Sequence, residues 1–325
     1  MKKYLEDLEK ELKKLKMSDL EISDILNDHK EMIAAAKDDG VTDEELEEKF
    51  GNPERVAKEL KDDTFDASFN TKDDKVYGTD EFEEYELFKT FPVSGDVTNV
   101  LINLISEDVV FYPYEGNEIK IFAKDMKNPD DYEIVYIDNQ LIINRKNNKL
   151  FKMFSNNNSA NFGIMIPLGL DLASFEVKNI SGDYEVKSVN AIKFEFKSTS
   201  GDVELENIHA KDFNINTVSG DLELENCSAE DMEISLVSGD CDMEKIDVNN
   251  KITINSVSGD VDAEAVKCQH LSFRTVSGDF EGKEVYPESV DLKSVSGDIS
   301  ISNSNKDHKI DVKSKKTLSG DVTIN

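Results

Sequence analysis

The feature that most constrains the fold is a four-residue motif that returns every nineteen or twenty residues. "VSGD" occurs at 218–221, 237–240, 257–260, 276–279 and 295–298. The near-matches "ISGD", "TSGD" and "LSGD" extend the series at 180–183, 199–202 and 318–321. A fixed period of about twenty residues indicates stacked repeats, because a unit this small buries its apolar face only against its neighbours.

Alignment of the repeats on the glycine reveals columns of apolar residues. Residues two and four after the glycine are mostly apolar, as at Leu222 and Leu224. Residues seven, five and two before it are apolar as well, as at Phe213, Ile215 and Val218. Alternation with period two is typical of a strand with one buried face. The pattern therefore predicts that each repeat forms two short strands joined through Ser-Gly-Asp, with all five apolar columns in the core.

The length of the repeat excludes helices between the strands. Nineteen residues cannot hold two strands and a crossover helix, so the sequence predicts a mainly β fold, a parallel β-helix or solenoid with about eight coils. Right-handed coiling is favoured for such connections. Glycine adopts a positive φ at little cost in a corner, and Ser and Asp side chains bond local backbone or the next coil. The glycines from Gly182 to Gly320 should then line one edge.

The first 62 residues follow a helical period instead. Leu5, Leu8, Leu12 and Leu15 recur at intervals of three and four, which indicates an amphipathic helix. "SDLE" at 18–21 and "TDEE" at 42–45 are capping boxes. This predicts a small all-α domain that acts as an adaptor, with helices at about 2–16, 19–37, 43–50 and 53–61.

Two segments carry a family resemblance. "FGNPERVAKEL" at 50–60, preceded by "VTDEELEEK", resembles the HAAS domain (DUF1700 type) of Gram-positive bacteria, and the likeness covers residues 1–62. Residues from about 88 onward, with "FGIMIPLGLDLASFEVKNISGD" at 162–183 and the Ser-Gly-Asp repeats, resemble the DUF4097 family of "putative adhesins". The resemblance implies a β-solenoid protein of bacteria, associated with the cell envelope or its stress response.

These observations predict four consecutive regions. An acidic segment poor in aliphatic residues follows the helical domain and is expected to be a flexible linker. Less regular strands come next and should form a capping β-region that covers the edge of the solenoid. The predicted boundaries are 1–62 for the helical domain, 63–87 for the linker, 88–172 for the capping β-region and 173–325 for the solenoid.

The charge of the chain restricts its partners. With 69 acidic and 38 basic residues, the formal net charge is −31, which disfavours nucleic acid and anionic lipid as partners. No apolar run reaches the length of a membrane helix, and Glu6, Asp7 and Glu9 interrupt any signal-peptide core. We therefore expect a protein in the cytoplasm or peripheral to the envelope, with a protein or envelope component as partner.

The residues with catalytic chemistry are too scattered to predict an enzyme. The four histidines, at 29, 209, 270 and 308, do not form an evident nucleophile pair with a Ser or Cys. Arginine occurs at positions 55, 145 and 274 alone. Cys227, Cys241 and Cys268 fall in apolar or small-residue columns and are predicted to be reduced core thiols. The sequence thus favours a protein without catalysis or a cofactor.

One column of the repeats is acidic. Three positions after the glycine stand Glu185, Glu204, Glu223, Asp242, Asp262 and Glu281. Because coils stack at about 4.8 Å, these carboxylates should form a ladder. Basic residues four positions before the glycine should compensate the end coils, at Lys178, Lys197, Arg274 and Lys293. Two hypotheses remain open: a solvated face that keeps the protein soluble, or a face at Glu204, Glu223, Asp242 and Asp262 that binds Ca²⁺ or a cationic partner.

Three classes of function are compatible with this sequence. The favoured class is a non-catalytic binding or scaffold protein of the bacterial envelope, with the solenoid as the recognition surface. An intracellular signalling partner that acts through the helical domain is an alternative. A carbohydrate-active β-helix enzyme is another, and the scattered histidines and arginines disfavour it.

Overall fold

A computed structural model of the chain describes residues 2–14, 84–93, 98–146 and 159–325, together with residues 22, 26, 30, 53 and 82. The chain divides into two compact units, Met1–Asp73 and Asp74–Asn325. Each unit is described by itself below.

The first unit begins with an amphipathic helix, α1, which spans Lys2–Lys14. Tyr4, Leu8 and Leu12 lie on its buried face, which confirms the first predicted helix. Of the helices predicted at 19–37, 43–50 and 53–61, only residues 22, 26, 30 and 53 are described, and all four are helical. The rest of those predictions lies outside the described residues. No helix among the described residues is long and apolar enough to cross a membrane.

The second unit is a β-solenoid, as predicted. Eight strands precede the regular repeats: β1 Glu86–Pro92, β2 Thr98–Asn103, β3 Val109–Tyr114, β4 Glu118–Lys124, β5 Tyr132–Ile137, β6 Gln140–Arg145, β7 Asn161–Pro167 and β8 Leu172–Lys178. The repeats supply β9 Tyr184–Ser198, β10 Val203–Thr217, β11 Leu222–Glu225, β12 Ser228–Leu236, β13 Cys241–Asn255, β14 Val261–Thr275, β15 Phe280–Ser294, β16 Ile299–Ser302, β17 Asp311–Thr317 and β18 Val322–Ile324. A 3-10 turn spans Pro129–Asp131.

The repeats pair in parallel with their equivalents in the next coil. Val203 of β10 pairs with Leu222 of β11, and Ile215 pairs with Ile234 of β12, in both cases nineteen residues further on. The four columns at seven and five residues before the glycine and at two and four residues after it are buried, as predicted, in all coils but the last, where Lys313 and Lys315 are exposed and Ile324 is half-buried. Phe175, Phe194 and Phe213 stack in successive coils, with ring centroids 5.0 Å apart. This continuous core holds each coil in register.

The prediction of a buried column two residues before the glycine is wrong. Val218, Val237 and Val257 are 44–46% exposed. The strand keeps its period of two up to the corner, so the residue three before the glycine points inward instead. Thr217 occupies that inward position and is 4% exposed.

The Ser-Gly-Asp corners stack along one edge, as predicted. Asp221 donates its backbone N–H to Oδ1 of Asp202 at 2.9 Å, and Asp240 donates to Asp221 in the same way. This relay continues from Asp108 to Asp321 without a gap. Each corner is thereby tied to the next through a side chain that also faces solvent.

Glycine is required at the corner mainly because successive coils approach closely there. The predicted positive φ occurs at Gly220 (φ +107°) and at some other repeats, whereas Gly259 has no such φ. With either backbone conformation, an added Cβ would collide with the corner one coil earlier. A Cβ on Gly220, for example, would lie 2.3 Å from the carbonyl oxygen of Gly201. Close packing therefore explains the repeated glycine more generally than backbone conformation does.

The strands before the repeats extend the stack with mixed pairing. β2 pairs in parallel with β8, and β3 pairs in parallel with β9, so residues 98–114 supply a coil ahead of the first Ser-Gly-Asp corner. β4 pairs antiparallel with both β1 and β7, and β5 with β6. Glu107 occupies the corner position of this coil and is 0% exposed. Its Oε2 accepts hydrogen bonds from the backbone N–H groups of Ile105 and Ser106. In this coil a buried carboxylate therefore holds the corner that Ser-Gly-Asp forms in the repeats.

Candidate functional site

The structure brings the four predicted ladder residues together. Glu204 pairs in register with Glu223, Glu223 with Asp242, and Asp242 with Asp262. All four side chains are exposed, because their neighbours in each strand point into the core. Glu185 and Glu281 continue the column at its two ends.

A second acidic column, which the sequence analysis missed, runs beside the first. It lies five residues after the glycine, where Glu206, Glu225, Glu244 and Glu264 pair in register. Residues i and i+2 of a strand share a face, so both columns project from the same side of the solenoid. The eight carboxylates of four coils form what we call the acidic strip: Glu204, Glu206, Glu223, Glu225, Asp242, Glu244, Asp262 and Glu264. Comparison of the residues five positions after each glycine would have revealed the second column from the sequence.

Lysines close the strip at both ends. Lys187 is the register partner of Glu206, and its Nζ lies 2.6 Å from Glu185 and 3.2 Å from both Glu204 and Glu206. Burial lowers the pKa of Lys187, but the hydrogen bonds and charges of Glu185 and Glu204 outweigh it and hold the pKa above its ordinary value. At the other end, Lys283 lies 2.8 Å from Glu281.

Fewer lysines neutralise the negative charge in the middle of the strip. Lys245, which has a positive φ of +57° within β13, directs its Nζ to 2.7 Å from Glu244 and 3.3 Å from Glu225. Among the residues that the structure describes, Glu223, Asp242, Asp262 and Glu264 have no ion pair. Partial burial and the nearby charges of Asp242 and Glu281 raise the pKa of Asp262 above its ordinary value.

The basic column expected to compensate this ladder acts elsewhere. Lys197 pairs with Glu195, and Lys293 lies 3.0 Å from Asp291, two residues before it on the same strand. Hydrogen bonds from Lys193 and then Lys197 lower the pKa of Glu195 to about 2. These pairs lie on the strand before the corner, whereas the acidic strip lies on the strand after it. The prediction that they serve the ladder is therefore wrong.

The strip borders a shallow depression rather than an enclosed cavity. The depression has a volume of about 290 Å³, and carboxylates from four coils and Lys283 line it. Within the described part of the chain, no three His, Cys, Asp or Glu side chains converge as they would around a bound metal ion. The geometry is that of a repeating charged surface.

The described cysteines are buried, and two of the described histidines lie beside serines. The three cysteines are free and buried, as predicted, and burial raises the pKa of Cys227 and of Cys268 to about 12. Two histidines do share a column with a serine, which the sequence analysis overlooked: Nδ1 of His209 lies 2.6 Å from Ser228 Oγ, and Nδ1 of His270 lies 2.9 Å from Ser289 Oγ. Ser228 is 1% exposed, which shields its hydroxyl from solvent, whereas Ser289 is half-buried.

The fold and the site together define a class of protein: a parallel β-solenoid whose distinctive chemistry lies on its outer faces. The Toastrack DUF4097 family matches residues 97–279 and 248–325, and the chain belongs to this family. A HAAS domain matches residues 3–59. Both matches confirm the resemblances found in the sequence.

Two solved structures resemble the chain at low sequence identity. One is a protein of Parabacteroides distasonis ATCC 8503 described as a "putative lipid binding protein", with 16% identity, a TM-score of 0.47, and coverage of 73% of this chain and 96% of that chain. The other is a "putative adhesin" of Bacteroides fragilis NCTC 9343, with 15% identity, a TM-score of 0.38, and coverage of 73% and 97%. Comparison with curated proteins finds no match.

Proposed function

We propose that this protein is a non-catalytic binding or scaffold protein associated with the bacterial cell envelope, and that the acidic strip is its recognition surface for cationic groups. The observation that carries the proposal is the in-register stacking of eight carboxylates on four consecutive coils. The shallow depression that the strip borders supports a binding role.

Electrostatic repulsion explains why such a strip would bind cations. Two unit charges about 4.8 Å apart repel by about 1 kcal/mol in water and by several times more at the dielectric constant of a protein surface. The backbone register fixes the spacing of the Cα atoms, so the carboxylates can move apart only by rotation of their side chains. A cation between neighbouring coils reduces the repulsion, and its binding therefore stabilises the folded protein.

Calcium is the simplest cation that fits the spacing. Two oxygens that each lie about 2.4 Å from Ca²⁺ can be about 4.8 Å apart, which is the separation of adjacent coils. Since no preformed cluster of three ligands exists in the described residues, water must complete the coordination shell. We therefore propose weak binding of Ca²⁺ at Glu204, Glu223, Asp242 and Asp262. Lysine and arginine side chains of a partner would neutralise the same carboxylates.

Thermal melting of the full-length chain tests the strip. Millimolar Ca²⁺ should raise the melting temperature beyond the shift caused by NaCl at equal ionic strength, which reports screening alone. Glu223→Gln with Asp242→Asn should raise the calcium-free melting temperature and reduce the calcium response. Asp231→Asn with Glu233→Gln is the matched control, since it removes the same charges from exposed positions outside the strip. Equal responses in all three proteins would refute the strip as a cation site.

Cell fractionation tests the envelope association. The tagged full-length protein should sediment with the envelope fraction and should be released by high salt, because the attraction to cationic groups is electrostatic. Recovery in the soluble cytoplasmic fraction at all salt concentrations would favour the alternative of an intracellular signalling partner.

A further inference from the structure

A line of exposed aliphatic side chains runs along the corner edge of the solenoid. Each lies two residues before the glycine of a Ser-Gly-Asp corner, and each is 44–84% exposed. We call this line the aliphatic ridge: Ile180, Val218, Val237, Val257, Val276, Val295 and Leu318. Apolar side chains aligned in this way on a surface are typical of an interaction site.

Neither the core nor the corner requires aliphatic residues at these positions. The corner uses only the backbone of the ridge residue: Val237 donates its N–H to the oxygen of Thr217 at 3.2 Å, and Val218 O accepts the N–H of Ser238 at 2.8 Å. Thr199 occupies the same position in one coil, which shows that a polar β-branched residue is compatible with the corner. A β-branched residue suits the extended backbone at this position, but the aliphatic character of the repeated valines calls for an explanation outside the fold.

The charges beside the ridge differ along its length. Three residues after each ridge position stands the exposed Asp of the corner, as at Asp221 and Asp240. On the other side, two residues before the ridge, the central coils carry the neutral Asn216, Ser235 and Asn255. Towards the C-terminal coils, the same column becomes basic, at Arg274 and Lys293. The centre of the ridge is thus apolar with a negative flank.

We infer that the ridge at Val218, Val237 and Val257 is a docking surface for an amphipathic α-helix of a partner protein, with lysine or arginine along one side of the helix's apolar stripe. The inference deepens the proposed function and rests on it, because the acidic strip follows the ridge along each coil and attracts the same basic side chains. Glu223 is five residues after Val218.

The spacing of the ridge matches a helix better than a strand. Ridge residues repeat at about 4.8 Å, and the apolar stripe of an α-helix repeats once per turn at about 5.4 Å. Over four coils, which are three intervals, the ridge residues and the turns of a helix move out of register by about 1.8 Å. Residues on one face of an extended strand repeat at about 6.8 Å and would drift by about 6 Å over the same length.

Charge complementarity excludes the other evident occupants. Contact between the ridges of two copies would bring two aspartate columns together on chains that each carry a net charge of −31. The amphipathic helix α1 of this chain already has its apolar residues Tyr4, Leu8 and Leu12 buried. A basic helix of another protein satisfies both the apolar and the electrostatic character of the ridge.

Binding of a synthetic helical peptide to the full-length protein tests the inference. The probe is a fluorescent peptide of about 18 residues, five helical turns, with leucine along one stripe and lysine along one side of that stripe. Fluorescence anisotropy should show that Val237→Thr with Val257→Thr weakens binding about tenfold, because apolar surface is lost from the contact. The matched control, Val276→Thr with Val295→Thr, should change binding by less than about twofold, because basic residues flank those coils.

Two further comparisons separate the contributions of the ridge and the strip. A peptide with the same composition but its leucines scattered around the helix should bind wild type and the central double variant equally. Glu223→Gln with Asp242→Asn should weaken both peptides, since it acts on charge alone. Melting curves of both threonine variants should match wild type, as the tolerance for Thr199 predicts.

The outcomes distinguish this inference from the proposed function. If the central double variant binds the striped peptide as tightly as wild type does, the ridge inference is overturned, whereas a remaining effect of Glu223→Gln with Asp242→Asn would still support the strip. Failure of the striped peptide to bind wild-type protein also overturns the inference. The same holds if sedimentation shows a dimer of the wild-type protein that the central double variant abolishes, because a second copy would then be the occupant.

Discussion

A Cβ atom placed on Gly259 would lie 1.8 Å from the carbonyl oxygen of Gly239, one coil earlier. Both partners are backbone, and backbone at a stacked corner cannot rotate away as a side chain can. The coils can approach this closely at the corner edge only because neither corner residue has a side chain.

Gly259→Ala is expected to destabilise the protein by about 3 kcal/mol, since the clash must be relieved by a backbone shift. Chemical denaturation followed by circular dichroism measures this loss. Gly169→Ala is the control, because Gly169 has a positive φ of +74° but no atom near an added Cβ. It should lose about 1 kcal/mol through backbone strain alone. Similar losses in the two variants would show that close approach is not the main constraint.

A residue with a positive φ recurs six positions after most of the corner glycines, which offers a way to stabilise the protein. Ala265 has a φ of +57° and is exposed, and equivalent positive values recur at Asn226 (φ +53°) and Lys245 (φ +57°). Ala265→Gly should raise the free energy of unfolding by up to about 1 kcal/mol, because glycine adopts this conformation without strain. Ala229→Gly, at a buried strand position, should lower it. An unchanged or lower stability of Ala265→Gly would contradict the expectation.

The pH dependence of stability should report the unfavourable environment of ionised Asp262, which combines partial burial with repulsion from Asp242 and Glu281. The raised pKa of Asp262 means that the folded protein favours its protonated form, so ionisation of this group destabilises the fold at neutral pH. The penalty disappears as the pH falls below the ordinary value of 3.8. Asp262→Asn should therefore raise the melting temperature near neutral pH and have no effect at about pH 3.

Asp291→Asn is the control of opposite sign. The hydrogen bond from Lys293 lowers the pKa of Asp291, so its ionised form stabilises the fold at neutral pH and that contribution is lost on acidification. This variant should melt at a lower temperature near neutral pH. Shifts of the same sign in both variants would contradict the conclusion that ionisation of Asp262 destabilises the fold while ionisation of Asp291 stabilises it.

The buried thiols should be unreactive in the folded protein. Burial raises the pKa of Cys227 to about 12, so the reactive thiolate is scarce at neutral pH. A thiol reagent should therefore label the native protein much more slowly than the protein in denaturant. Rapid labelling of any of the three cysteines in the native state would show that the core opens locally.

The predicted linker remains to be tested by proteolysis of the full-length protein. Residues 63–87 are acidic and poor in aliphatic side chains, and the sequence predicts cleavage at about 64–84 with release of two folded fragments. Since Phe82 is 3% exposed and β1 begins at Glu86, we expect the cuts to fall before residue 82. Circular dichroism of the separated fragments would show helical and β spectra. Unfolding of the β fragment after cleavage would indicate that the first 62 residues complete its core.

The repeat period was sufficient to predict the solenoid because both of its physical requirements are visible in the sequence. Buried columns such as that of Ile215 need apolar residues, and the corner at Gly220 needs glycine. The first acidic column was predicted for the same reason: Glu223 lies between two buried positions, Leu222 and Leu224.

The sequence analysis was wrong at positions where the residue type does not show which way the side chain points. Val218 is apolar but exposed, and its outward direction follows from strand parity up to the corner. Lys197 is basic, but the side of the corner on which it lies decides that it pairs with Glu195. The coil formed by residues 98–114 has no Ser-Gly-Asp motif, since Glu107 replaces the corner, and the period therefore gave no indication of it.

The relay of corner aspartates has a consequence when it is considered together with the acidic strip. Each of the four central coils presents three carboxylates, for example Asp221, Glu223 and Glu225. With a rise of about 4.8 Å per coil, this is one negative charge per about 1.6 Å, close to the one per about 1.7 Å of double-stranded DNA. Over these coils the protein is a short polyelectrolyte that accumulates counterions, and a polycationic partner gains free energy by releasing them into solution.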